Sequence, residues 1–195
     1  AVQQAIELGI SVVPVAEDGT KRPDLVSWNV FQTRVPKRIE LNEWFHGTER
    51  TGCGWIMGAV SGAMECLDFD SRDAFEAFGV LAVELIPDIW ERLCAYGERT
   101  PNGQHLFWRC AEIEGNLKLA HDATGKAVIE TRGEGGFVIV GPSYGAVHPS
   151  GEPYVADGSM GDIPTFTPDE RDAVLTLARS MDERPRKEAQ EAHHI

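Results

Sequence analysis

The stretch Glu65-Cys66-Leu67-Asp68-Phe69-Asp70 constrains this chain more than any other. It is a short apolar strand ending in two carboxylates, and because side chains alternate faces along a strand, Asp68 and Asp70 share a face while Leu67 and Phe69 turn into a core. Two anions in one small space repel each other unless a cation sits between them, and an oxygen pair of this kind suits hard divalent ions such as Mg²⁺ or Mn²⁺. Taken alone, Asp-x-Asp at a strand end is more often a solvated turn or a helix cap. The weight comes from what accompanies it.

The order of elements predicts an α+β chain. Residues 1–9 read as a helix stopped by Gly9, and Ile10 to Val15 as a strand that Pro14 pushes toward a sheet edge. A turn-rich loop from Glu17 to Pro23 follows, then a short amphipathic helix over 36–45. Gly52 to Gly58 reads as a strand that forms a hairpin with Met64 to Asp70. Ser71 caps a helix through Leu85, and a second helical segment runs from Asp88 to Tyr96, closed by Gly97. Strands are expected over 104–110, 128–132 and 137–140, with loop over 112–126 and 148–164 and one short strand near Tyr154. Thr167-Pro168-Asp169-Glu170 opens a final helix with a capping box. The reading places a catalytic domain over 1–166 and a C-terminal helix with a charged linker over 167–195, where His193-His194 reads as a tag remnant. A chain that begins at Ala1 and ends in a charged tail predicts a piece of a longer protein.

Composition narrows the function classes. The net charge of −13 argues against a protein that coats nucleic acid nonspecifically. Within that acidic background, Lys21, Arg22, Arg34, Lys37 and Arg38 stand against Asp24 alone, and this basic segment is where phosphate contacts are expected, unless it is simply a solvated loop and helix start. Four widely spaced cysteines, with no C-x-x-C pair, predict reduced core thiols and no zinc site. No apolar run approaches the roughly 18 residues of a membrane span and no signal peptide is recognisable, so a soluble protein of a host-cell cytoplasm, with no membrane partner, is expected.

Three separated features can meet if their strands are neighbours: Asp68 and Asp70, His105 at the start of its strand, and Glu130 on the alternating strand Val128 to Arg132. Together they resemble the primase-polymerase family of the archaeo-eukaryotic primase superfamily, found in plasmid, phage and mobile-element replication proteins. That family's first motif, two acids around one apolar residue, matches Asp68 and Asp70. Its second, a small residue, any residue and His, matches Gly103-Gln104-His105, and its third, an acid after an apolar residue, matches Glu130. The Lys21-Arg22-Pro23 loop, the Trp55 to Gly58 strand and the run from Arg132 to Ser143 look like the family too, so the resemblance covers roughly residues 5–155. Two departures stand out: Gly103 replaces a common Ser, and Glu130 replaces a common Asp.

The resemblance implies a two-lobed α+β fold, an N-terminal αβ unit joined to a unit like an RNA-recognition motif, with the site between them. It implies DNA primase and polymerase activity with two Mg²⁺ or Mn²⁺ ions on Asp68, Asp70 and Glu130, and nucleotide contacts from His105, Gln104, Gly103, Arg132 and Arg99. Lys21, Arg22, Arg34, Lys37 and Arg38 would touch single-stranded or primed template, with dNTP or NTP as substrate and a helicase domain on the same full-length chain as a further partner. The rival readings are a metal-dependent nuclease or phosphohydrolase, since carboxylate pairs serve water attack equally well, and a non-catalytic module that binds nucleotide or primer.

Overall fold

In the computed structural model, which describes residues 2–184, nine strands divide between two sheets. The chain opens with α1 (Val2–Glu7) and β1 (Ser11–Pro14), then α2 (Arg38–Phe45), β2 (Cys53–Ile56) and β3 (Met64–Phe69). Next come α3 (Arg72–Leu85), α4 (Pro87–Leu93), β4 (Tyr96–Arg99), β5 (Gln104–Arg109), β6 (Lys118–His121) and β7 (Ala127–Arg132). The chain continues through β8 (Phe137–Val140) and β9 (Val155–Gly158) into α5 (Pro168–Ser180). The small sheet has the order β1-β2-β8 and the large one β6-β7-β3-β5-β4-β9, with every neighbouring pair antiparallel. Pro14 lies on β1, an outer strand of its sheet, where a missing N–H is tolerated.

Within the large sheet, β3, the α3–α4 pair, β4 and β5 form a split βαβ unit: the helices carry the chain from β3 past one position, and β5 returns to fill the gap. This puts β3 between β5 and β7, the strands that carry His105 and Glu130. The face of β3 with Leu67 and Phe69 packs under the helices, in a core with Phe78, Leu93, Leu106, Trp108, Ile129 and Val174. The other face meets the small sheet. Met64, Cys66, Tyr96 and Phe107 from the large sheet close on Val12, Trp55 and Val138 from the small one. Trp55 is wedged between Phe107, with ring centroids 5.3 Å apart, and Tyr96, 6.1 Å away. The two sheets are therefore fastened by aromatic packing, and the ends of their strands bound a cleft.

Four sequence expectations are corrected here. β2 and β3 do not form a hairpin; they lie in different sheets, joined only by a Gly58–Met64 bridge, because the 3-10 turn at Ala59–Ser61 redirects the chain. α4 stops at Leu93, short of the expected helix end at Tyr96, and Tyr96–Arg99 is strand β4. The expected loop over 112–126 contains β6, a short strand whose register shifts hide its alternation. The helix assigned with the tail, α5, packs Val174, Leu175, Leu177 and Ala178 into the same core as the large sheet. His193-His194 lies outside the described residues. Cys53, Cys66 and Cys110 are buried free thiols, and Cys94 is exposed. Among the described residues no helix is long and apolar enough to cross a membrane.

Candidate active site

The register of three strands assembles the site. Asp68 on β3 stands directly opposite His105 on β5 and Glu130 on β7, while Arg132 stands opposite Cys66. All lie on the face turned toward the small sheet, since alternation carries Asp68, Glu130 and Arg132 away from the core that Leu67, Phe69 and Ile129 fill. Glu130 and Asp68 therefore share one side of the sheet.

Two cations already press on Asp68. His105 Nε2 lies 3.4 Å from its Oδ1, and Arg132 donates to its Oδ2 from Nε and Nη2 at 3.1 and 3.0 Å. The same Nη2 reaches Glu130 Oε2 at 2.9 Å, so one guanidinium bridges both acids. Burial alone would push the Asp68 carboxyl up, but His105 and Arg132 more than offset it and hold it at about 2. The converse holds for His105: burial works to lower it, while Asp68 and then Glu98 raise it to about 9, so the imidazole is a cation at neutral pH. Asp70, one pleat further along, has no side-chain hydrogen bond or ion pair among the described residues.

Asp68 and Asp70 line a cavity of about 250 Å³ together with Lys21, Asn102, His105 and Arg132. Lys21 arrives from the loop between β1 and α2 in a left-handed backbone conformation, φ 56°. A non-glycine residue in that region costs about 1 kcal/mol or more, a strain that favours a site where the side chain is wanted. His148 and Tyr154 complete the wall; burial and the neighbouring Lys21 hold the His148 imidazole below its ordinary value.

Strand geometry turns two of the expected nucleotide contacts away from the cleft. Gln104 pairs with Phe69 and Arg99 pairs with Gln104, so both side chains point to the opposite face and line a separate cavity of about 480 Å³ beside Phe75 and Leu106. Gly103 has a backbone role. A Cβ there would sit 1.9 Å from the Phe69 carbonyl oxygen, so no serine fits at this turn, and its N–H donates to Thr100 Oγ1 at 2.9 Å.

The basic segment disperses in space. Lys21 enters the cleft; exposed Arg22 pairs with Asp18; Arg34 is committed to Glu40 in a two-pronged pair at 2.7 and 2.6 Å. Lys37 and Arg38 are exposed at the start of α2. Glu98 belongs to no motif and follows directly on a predicted helix stop at Gly97, and the sequence signal that marks it is the alternation of Tyr96 and Glu98. It is fully buried on β4, directly opposite His105.

The donor set suits a hard divalent ion in chemistry, since Asp68, Asp70 and Glu130 offer only carboxylate oxygens. As placed, no three acidic, His or Cys side chains converge tightly enough to chelate an ion among the described residues. Arg132 holds the position between Asp68 and Glu130, so an ion and the guanidinium compete for the same two carboxylates. A family model described as bifunctional DNA primase/polymerase, N-terminal, matches residues 2–166. No curated protein matches the chain.

Proposed function

Because the chain belongs to the bifunctional DNA primase/polymerase family, with residues 2–166 matched, we propose that its cleft performs template-directed nucleotidyl transfer. A primer 3′-hydroxyl attacks the α-phosphate of an incoming nucleotide, the new phosphodiester bond forms, and pyrophosphate leaves. The observation that carries this reading is Asp68 held in register between His105 and Glu130, with Asp70, Lys21 and Arg132 at the same cavity.

Asp68, Asp70 and Glu130 would hold two Mg²⁺ or Mn²⁺ ions, which when bound supply Lewis-acid activation of the hydroxyl and neutralise the leaving group's charge. The chain's own cations do the rest. His105, charged and nearly buried, offers a charge-assisted hydrogen bond to a triphosphate oxygen. Arg132, partly buried, and Lys21, on the exposed side, add positive charge at the same cavity. Exposed Arg22, Lys37 and Arg38 remain for template or primer backbone, while Arg34 is largely neutralised by Glu40. The biological setting we assign is replication of a phage, plasmid or mobile element in a host cytoplasm, with a helicase domain on the full-length chain.

Replacing Asp68 and Asp70 together with Ala should abolish extension of a primed template, with the circular dichroism spectrum unchanged. Retained extension overturns the reading. Labelled DNA with Mn²⁺ and no nucleotide should keep its length; a shortened strand assigns the cleft to hydrolysis instead. Nucleotide binding without incorporation under either ion would assign it to a binding module.

A further inference from the structure

Glu98 is a carboxylate sealed in the interior, and its neighbours show why it is there. An isolated buried carboxylate is destabilised by several kcal/mol unless partners surround it. The Tyr96 hydroxyl donates to its Oε1 at 2.7 Å, and the Gly141 N–H donates to its Oε2 at 3.1 Å. On its remaining side lies His105, whose Nδ1 is 4.0 Å from Oε2 and is a buried nitrogen with no hydrogen-bond partner. Asp68, His105 and Glu98 stand in direct register on three neighbouring strands, β3, β5 and β4, so the imidazole has a carboxylate beyond each ring nitrogen. Phe107 and Tyr154 flank the ring, with centroids 6.0 and 6.2 Å away.

We infer that Glu98 is a positioning residue for His105: it anchors the Nδ1 side of the ring so that Nε2 faces the acid cleft. The inference rests on the nucleotidyl-transfer reading for its catalytic consequence, though not for the contact itself. An imidazole drawn only through Nε2 could swivel about its outer bonds, whereas one that faces a carboxylate beyond each nitrogen, even at 4.0 Å on the Nδ1 side, is favoured in one plane and direction. Glu98 also connects that orientation to the second sheet. Gly141 follows β8, so the carboxylate that orients His105 is itself clamped by the small sheet, and the imidazole is aligned when the two sheets are seated together.

The rival is that Glu98 merely ties the sheets through Tyr96 and Gly141. A double-mutant cycle separates the two. We expect Glu98→Gln to lower kcat for primer extension about 10- to 100-fold, and to cost nothing further in a His105→Ala background, because its effect passes through that ring. Equal losses in both backgrounds would overturn the inference. Should Glu98→Gln melt early, Tyr96→Phe removes one hold and leaves the carboxylate; it should lower kcat several-fold in the wild-type background and not in His105→Ala, and equal losses count against the proposal. A readout without turnover keeps the two readings apart: in ¹⁵N-labelled protein, the His105 Nδ1 proton, assigned by its absence in His105→Ala, should be sheltered from exchange and lost or strongly displaced in Glu98→Gln. An unmoved signal refutes the positioning role whatever the activity. Wild-type protein without any extension refutes nucleotidyl transfer while the spectrum still decides the contact.

Discussion

Three residues apart on β3, a buried carboxylate and a partly buried one meet opposite fates. Glu65, on the helix-facing side, is fully satisfied: Arg171 from α5 donates to Oε2 from Nε at 2.6 Å and to Oε1 from Nη2 at 2.9 Å, and the Trp108 indole donates to Oε2 at 3.1 Å. Asp68, on the other face, is crowded by cations yet incompletely bonded, with His105 at 3.4 Å, a guanidinium shared with Glu130, and Asp70 unpartnered nearby among the described residues. Both are ion pairs in low dielectric, but the first is sealed from solvent with three hydrogen bonds and the second lines a cavity that a ligand can enter. A saturated buried pair holds structure; an unsaturated one beside a cavity is where a ligand completes the set.

The largest expected effect breaks the first pair. Glu65→Ala should lower unfolding stability by about 3–5 kcal/mol, because Arg171, at 5% exposure, is left with only a 3.4 Å contact to the exposed carboxylate of Glu114. Urea denaturation measures it, and α5 should be the first segment to lose hydrogen-exchange protection. Asp68→Asn should behave in the reverse sense. It should cost no more than about 2 kcal/mol, since Arg132 keeps Glu130 and His105 can shed its proton, while extension falls on the order of 10³-fold or more. If Asp68→Asn unfolds the protein and Glu65→Ala is tolerated, the contrast between the two faces is wrong.

A middle-sized effect comes from Gly103, which touches both functions. Gly103→Ala presses a methyl into the Phe69 carbonyl, and the ends of β3 and β5 must part to accommodate it. About 1–3 kcal/mol of stability should be lost, and extension should fall further than that figure explains, because Asp68, Asp70 and His105 lie at the same strand ends. Activity that simply follows the fraction folded, measured alongside a melting curve, would place Gly103 outside the site.

How much of this was readable beforehand differs between the two faces. The acid pair, His105 and Glu130 could be named because each occupies a short motif, and strand alternation alone put Leu67 and Phe69 in the core. Register was not legible, because nothing local says that β7 lies beside β3 across some sixty intervening residues; the resemblance supplied that adjacency. Gln104 and Arg99 face away from the cleft for a related reason, since proximity along the chain to His105 does not give proximity in space when the pleat reverses every second side chain. Arg171 and Glu98 were invisible. Arg171 lies inside a segment that reads as ordinary helix and Glu98 in a short link between a helix and a turn, and only the tertiary partners reveal that each is buried.

The smallest predicted effect concerns Lys21, the one member of the basic segment that enters the cleft. Its ammonium lines the cavity on the side of His148, which its charge helps to hold neutral, rather than pairing with an acid as Arg22 and Arg34 do. Lys21→Ala should therefore leave Asp68, His105 and Arg132 in place and remove only charge attraction for the nucleotide. Loss of one partly solvated contact of about 1 kcal/mol corresponds to a rise in nucleotide KM of roughly fivefold, with kcat changing less than twofold. Lys21→Gly should weaken binding equally while stabilising the loop by about 1 kcal/mol, because glycine adopts the left-handed backbone at φ 56° without strain. If the KM for nucleotide stays level and only the affinity for primed template falls, Lys21 belongs with the exposed Arg22, Lys37 and Arg38 as a backbone contact, and the cleft's positive charge comes from His105 and Arg132 alone.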